Sequence, residues 1–171
     1  MRGRFEGSAT IDRPIGEVFA FLADGQNDPK FSPRVLEMSK RTDGPPGVGT
    51  IYASTVSDAG MKTKREFELT EFQAPTRIRW RERSKNLVTA PEGGYDLESH
   101  DDHTHLMVFN ELEGHGVGNL FVRFALSAAR KDADAFAGRI KGAVEAATPA
   151  GPPPPSSPPS PPSPPSSSPP A

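Results

Sequence analysis

Three histidines, His100, His103 and His105, flank the acidic pair Asp101-Asp102. Imidazole and carboxylate are both zinc ligands, so the spacing H-x-x-H-x-H holds the residue types of a metal site. It lacks a second ligand cluster and any H-E-x-x-H motif. Asp-Asp between two β-prone runs is also ordinary turn chemistry. The expectation is a polar hairpin turn, with no metal and no cofactor. His115 stands in the run GHGVG. Histidine is the residue type for acid–base work near neutral pH, and a cavity mouth would suit it; the plainer reading is a loop residue. The glycines around it lack the strand, loop and lysine of a phosphate loop. No G-x-S-x-G is present. Asp132 and Asp134, two apart on a helical run, diverge. These motifs assign no catalytic residue.

A second set falls in β-prone runs. If strand alternation holds, Arg65, Trp80, Tyr95 and Asn110 point inward, with Phe67 in register with Arg65. Arg65 suits neutralising a carboxylate or enolate. Asn110 and Tyr95 suit orienting a carbonyl or hydroxyl. Trp80 suits stacking on a planar ring. With Phe124 from the C-terminal helix they make the expected ligand-binding set. The plainer readings are a solvated run KTKRE around Arg65 and simple core for Trp80. A one-residue slip of register would move the whole set to solvent.

The elements that must position these residues follow from the chain in order. Arg4 to Ile11 alternates as a half-buried strand. Asp12-Arg13-Pro14 breaks it, and Ile15, Val18, Phe19 and Leu22 follow at helical spacing. GQNDPKFSP reads as loop or a broken helical turn. Strands are expected over residues 34–42, 50–57, 61–72, 76–83, 94–99 and 104–112, with turns between them. In 76–83 Ile78 and Trp80 share one face and arginines take the other. From Val117 to Ala147 the chain is proline-free and rich in helix formers. Phe121, Phe124, Ala128, Phe136, Ile140 and Val144 suggest one apolar stripe, stretched across Lys131 to Asp134. About 28 residues make a helix of roughly 42 Å. Alanines crowd its middle, leaving space under a sheet or allowing close packing on it. The expected class is α+β, an antiparallel sheet with helices on one side.

Four stretches carry a resemblance: ATIDRPIGEVFAFLAD leading to NDPKFSPRV, the turn PPGVGTIY, ELTEFQAPTRIRW, and HTHLMVFNELEGHG before the helix ending RIKGAVEAA. In this order the chain resembles the START-like (SRPBCC) superfamily, of the polyketide cyclase/dehydrase type, over nearly all of residues 4 to 147. The resemblance implies a helix-grip fold, a curved antiparallel sheet of about seven strands around a long C-terminal helix. It implies a deep cavity between them and small-molecule or lipid binding, with cyclase, aromatase or hydrolase chemistry in some members. It implies no shared catalytic set.

Composition sets the remaining bounds. The 171 residues carry a net charge of −2 with the signs interspersed, and no cysteine. A nucleic-acid partner is not expected, and disulfides and thiolate metal sites are excluded. No apolar run approaches the ~20 residues of a membrane span. The N-terminus lacks the apolar core of a signal peptide, so a cytoplasmic protein is expected. Residues 1–148 are expected to form the START-like domain. Residues 149–171, nearly all Pro and Ser, are expected to be a disordered tail biased to polyproline II. That tail is a spacer, or a weak ligand for SH3-like domains. The expected function is to hold a hydrophobic or aromatic, lipid-like molecule between sheet and terminal helix. The alternative is a polyketide cyclase or aromatase-like enzyme using the same cavity. A filled-in interaction domain is the third reading.

Overall fold

The computed structural model describes residues 1–58 and 60–147, with the backbone alone at residue 58. The expected tail, 149–171, lies outside the described residues. The order is β1 (Arg2–Ile11), α1 (Ile15–Ala23), a 3-10 helix (Gly25–Lys30), β2 (Val35–Lys40), β3 (Ile51–Asp58), β4 (Met61–Gln73), β5 (Arg77–Glu82), β6 (Val88–Thr89), β7 (Gly93–His100), β8 (His103–Gly114) and α2 (Gly118–Ala146). Seven strands form one antiparallel sheet in the order β1-β8-β7-β5-β4-β3-β2, and β6 pairs with the end of β8. The first strand therefore lies beside the last.

Local chemistry explains the borders. Pro14 caps α1 with φ −60° and ψ 147°, the extended conformation a helix entry takes. Asp24 ends α1, and its side chain accepts the Gln26 N–H at 3.0 Å to start the 3-10 helix. The segment expected to be loop or broken turn is thus this 3-10 helix. Asp101 takes φ 51° in the two-residue turn between β7 and β8, a conformation Asp tolerates better than most side chains. The polar hairpin expected around the histidines is where the sequence placed it.

One apolar core joins α1, the sheet and the second half of α2. Val18, Phe19 and Leu22 meet Ile11, Leu97, Leu106, Ala137, Ile140 and Val144. The helix lies close on β1. A Cβ at Gly7 would stand 2.2 Å from the Ala133 carbonyl oxygen, so only glycine allows that approach. Ala133 and Ala137 are buried there. These two alanines serve close packing, while Ala128 and Ala135 face solvent.

The expected stripe on α2 needs correction. The buried line is Gly118, Val122, Leu126, Ala133, Ala137, Ile140 and Val144. Phe121 and Phe124 are exposed, as is Ala128. The reason is geometric. The stretched step from Ala128 to Phe136 spans eight residues, which turns the face by about 80° at 100° per residue. The two halves of the expected stripe therefore lie on different sides of the helix.

Candidate functional site

The site residues on strands share a face because register puts them there. Directly opposed residues of an antiparallel pair lie on the same side of the sheet. Arg65 is opposite Ser54 and Phe67 opposite Tyr52. Phe67 is also opposite Glu82, and Leu69 opposite Trp80. Trp80 faces Gly93 and Ile78 faces Tyr95. Gly93 faces Asn110, and Tyr95 faces Val108. Arg65, Phe67, Trp80, Tyr95 and Asn110 thus occupy one continuous face, the one that carries the buried core. The opposite face takes Arg77, Arg79 and Arg81, as the alternation in β5 predicts.

Gly93 is the centre of this face. A Cβ there would stand 2.2 Å from Asn110 Oδ1 and 2.4 Å from Trp80 Nε1. The amide and the indole N–H edge converge over a position that has no side chain of its own. The Trp80 and Tyr95 rings meet with centroids 4.8 Å apart at 58°. An aromatic floor with a carboxamide beside it can hold a flat apolar molecule and orient one polar group on it.

Arg65 sits at one end. Its Nη1 donates to Glu82 Oε2 at 2.8 Å and to the Val88 carbonyl at 3.2 Å. Glu82 is fully buried on its side chain and accepts three more hydrogen bonds. These come from the Ala90 N–H (2.7 Å), Ser84 Oγ (2.6 Å) and Asn86 Nδ2 (2.9 Å). The cation that sequence pairs with a ligand anion already faces a carboxylate of its own chain. Arg34 lies near it: burial, then the charge of Arg65, hold the Arg34 guanidinium below its ordinary value.

The 3-10 helix closes the other end. Gly25 lies against the Tyr52 ring, where a Cβ would be 3.1 Å from the ring carbons. The Tyr52 hydroxyl donates to the Ala23 carbonyl at 3.3 Å. Phe31 reaches across to Phe136 of α2, with centroids 5.9 Å apart. Asp28 stands in this segment. Burial, and then the charge of Asp24, push its carboxyl up to about 7. Its charge in turn helps burial raise the Tyr95 phenol well above the usual range, and adds to a smaller rise at Tyr52. Sequence reading passed over Asp28. A 3-10 turn has no apolar periodicity to show which way an acid points. The one signal was the pair Asp24 and Asp28, four apart between two phenylalanines.

The structure does not bring Phe124 to the others. It lies 74% exposed on α2, off the buried line. His115 is exposed, with Nε2 2.8 Å from Thr89 Oγ1. His103 stands 3.3 Å from Asp12 Oδ1, and the His100 and His105 rings are 6.4 Å apart. Among the described residues, no group of three or more His, Asp or Glu is placed to hold a metal ion.

The family described as polyketide cyclase/dehydrase and lipid transport matches residues 2–145. This chain belongs to that family. Its fold is the helix-grip fold of the START-like (SRPBCC) superfamily. No curated protein matches the chain in sequence. Among solved structures, this family member resembles the Zhui aromatase/cyclase from Streptomyces sp. R1128, with TM-score 0.71 and 18% identity over 85% of this chain and 94% of that one. It also resembles the TTHA0849 protein from Thermus thermophilus, with TM-score 0.69 and 15% identity over 84% and 98%. A START superfamily protein from Mycobacterium smegmatis superposes with TM-score 0.62 and 15% identity over 81% and 97%. These likenesses establish the polyketide cyclase/dehydrase family member's fold.

Proposed function

We propose that this protein binds a hydrophobic or aromatic, lipid-like small molecule on the concave face of its sheet. Phe67, Trp80, Tyr95 and Asn110 are the contacts, with residues 1–148 acting as the binding domain in the cytoplasm and 149–171 as an appended spacer. The observation that carries this reading is the convergence of Trp80 and Asn110 over Gly93. It pairs a large apolar surface with one polar anchor, the usual make-up of a small-molecule site.

Trp80 is the chain's only tryptophan, so its emission reports on this site alone. Titration with 1-anilinonaphthalene-8-sulfonate, oleic acid and 2-naphthol is expected to give a saturable change with at least one of them. Native mass spectrometry followed by denaturing extraction is expected to release a bound apolar molecule. No saturable change in Trp80 emission, together with a clean apo mass, defeats the proposal.

A second reading, a cyclase or aromatase-like enzyme on the same face, is favoured by Asp28. A carboxyl that titrates near neutral pH can both take and return a proton there. It borders the site through Tyr52, and its charge reaches Tyr95. The fold shared with the Zhui aromatase/cyclase supports this reading as analogy only. It predicts that Asp28→Asn abolishes turnover of a polyketide-like substrate without weakening its binding.

A further inference from the structure

The first half of α2 carries an apolar face that no described residue covers. Val117, Phe121, Phe124 and Ala128 follow at steps of four, three and four, one line along a helix, and Leu120 lies beside it. Val117 is 69%, Leu120 67%, Phe121 57% and Phe124 74% exposed. Leu87, also exposed, adjoins the start of this helix, where its carbonyl accepts the His115 N–H at 2.8 Å. Single exposed hydrophobics are normal, but a row of large ones marks an interaction surface.

The charge on this half of the helix has one sign. Residues 114–131 include Arg123, Arg130 and Lys131 and no Asp or Glu. These three line a groove of about 490 Å³ between α2 and the edge strand β1, together with Arg2, which is paired with Glu111, and the Met1 terminus, which donates to Asn119 Oδ1 at 2.5 Å. The next acid along the helix, Asp132, is bonded by Arg139 at 2.7 Å. At 100° per residue, Lys131 and Arg123 lie about 50° and 130° from the apolar row on its Leu120 side, while Arg130, about 150° from it, sits beside the buried line Val122–Leu126 and donates to the Arg4 carbonyl at 3.1 Å. An exposed apolar face with cations to one side of it is a feature shared with helices that lie in the plane of a bilayer. Basic side chains beside such a face add attraction to anionic headgroups. Two copies pairing symmetrically through this face would bring their cationic flanks together, which disfavours self-association.

We propose that the first half of α2 is a docking surface for anionic membranes. Leu120, Phe121 and Phe124 enter the headgroup–acyl boundary, while Arg123 and Lys131 meet lipid phosphates. No helix among the described residues is long and apolar enough to cross a membrane, and this face needs none to do so. The proposal does not depend on what the concave face binds.

The test is flotation of the full chain with vesicles of phosphatidylcholine alone or mixed with phosphatidylglycerol. Binding is expected with the mixed vesicles only, and it is expected to fall as salt rises. Phe121→Ser with Phe124→Ser, and separately Arg123→Glu with Lys131→Glu, are expected to weaken binding by about tenfold or more. All four positions are exposed, so the thermal midpoint should stay put in both variants. No flotation with the mixed vesicles overturns the proposal, as does flotation that ignores both pairs of substitutions. A dimer in solution that Phe124→Asp dissociates also overturns it, because a second copy then covers the face.

Discussion

Arg65 donates to Glu82 across 2.8 Å, from a side chain 15% exposed to one that is fully buried. Removing one partner of such a pair strands the other, at a cost of about 3–5 kcal/mol for a fully buried charge. Glu82→Ala also releases the Ala90 N–H, Ser84 and Asn86. It is expected to destabilise the protein by about 3 kcal/mol or more, read from urea unfolding followed by circular dichroism. Loss of less than about 1 kcal/mol would mean the cluster does not order the segment after β5.

Gly7 and Gly16 give a matched pair of glycine tests. A Cβ at Gly7 meets the Ala133 backbone oxygen at 2.2 Å, and backbone cannot swing aside. A Cβ at Gly16 meets nothing within 4 Å on α1. Gly7→Ala is expected to cost about 1–3 kcal/mol or more through displacement of α2. Gly16→Ala is expected to stabilise by about 0.5–1 kcal/mol, since alanine suits a helix better. Thermal denaturation of the two variants should move the midpoint in opposite directions.

Asp28 predicts a pH dependence with a definite sign. Its carboxyl is raised in the folded state to about 7, so between the ordinary carboxylate range and that value the folded state holds the extra proton. Stability from this group is therefore full in acid, falls as pH rises towards 7, and is flat above it. Asp28→Asn removes the slope. The variant is expected to match the parent near pH 4 and exceed it at pH 8 by on the order of 2 kcal/mol. Asp96 works the other way: although burial opposes it, Arg79 and Arg77 hold its carboxyl below the usual range. Its contribution is present above the ordinary carboxylate value and is lost as pH falls through the lowered one. A parent and an Asp28→Asn variant with identical slopes from pH 4 to 8 would show that Asp28 is not raised.

On the proposed binding face, Asn110 and Phe67 are expected to divide the binding energy. For any ligand that changes Trp80 emission, Asn110→Ala removes one neutral hydrogen bond and should weaken binding by about two- to tenfold. Phe67→Ala removes apolar contact and should cost at least as much, for ligands with and without a polar group alike. Equal losses in both variants for a pure hydrocarbon ligand would remove Asn110 from the role of polar anchor.

The face of the sheet was legible in the sequence because period two is a strong constraint. Once Ile78 and Trp80 share a side in β5, the antiparallel partners Tyr95, Gly93 and Asn110 follow from register. The edge of each strand was off by a residue or two, and the two-residue β6 has no pattern to read. The helix failed where its stripe had to cross an eight-residue gap, because rotation accumulates along a helix and not along a strand. Asp28 was invisible for a different reason. Its shift comes first from burial and then from Asp24, four positions away; the spacing of the two acids is local, but the burial is not written in it.

Among the described residues β1 pairs only with β8 in the sheet, and Gly7 meets Ala133 across 126 positions of chain. During synthesis the first strand must therefore wait, unpaired, until nearly the whole domain has emerged. Contacts of such separation make folding slow relative to helical proteins of equal size. They also make the fold all-or-none with respect to length. A chain stopped before His103 has no partner for its first strand and no helix to close over it, and exposes an open β-edge of the kind that aggregates.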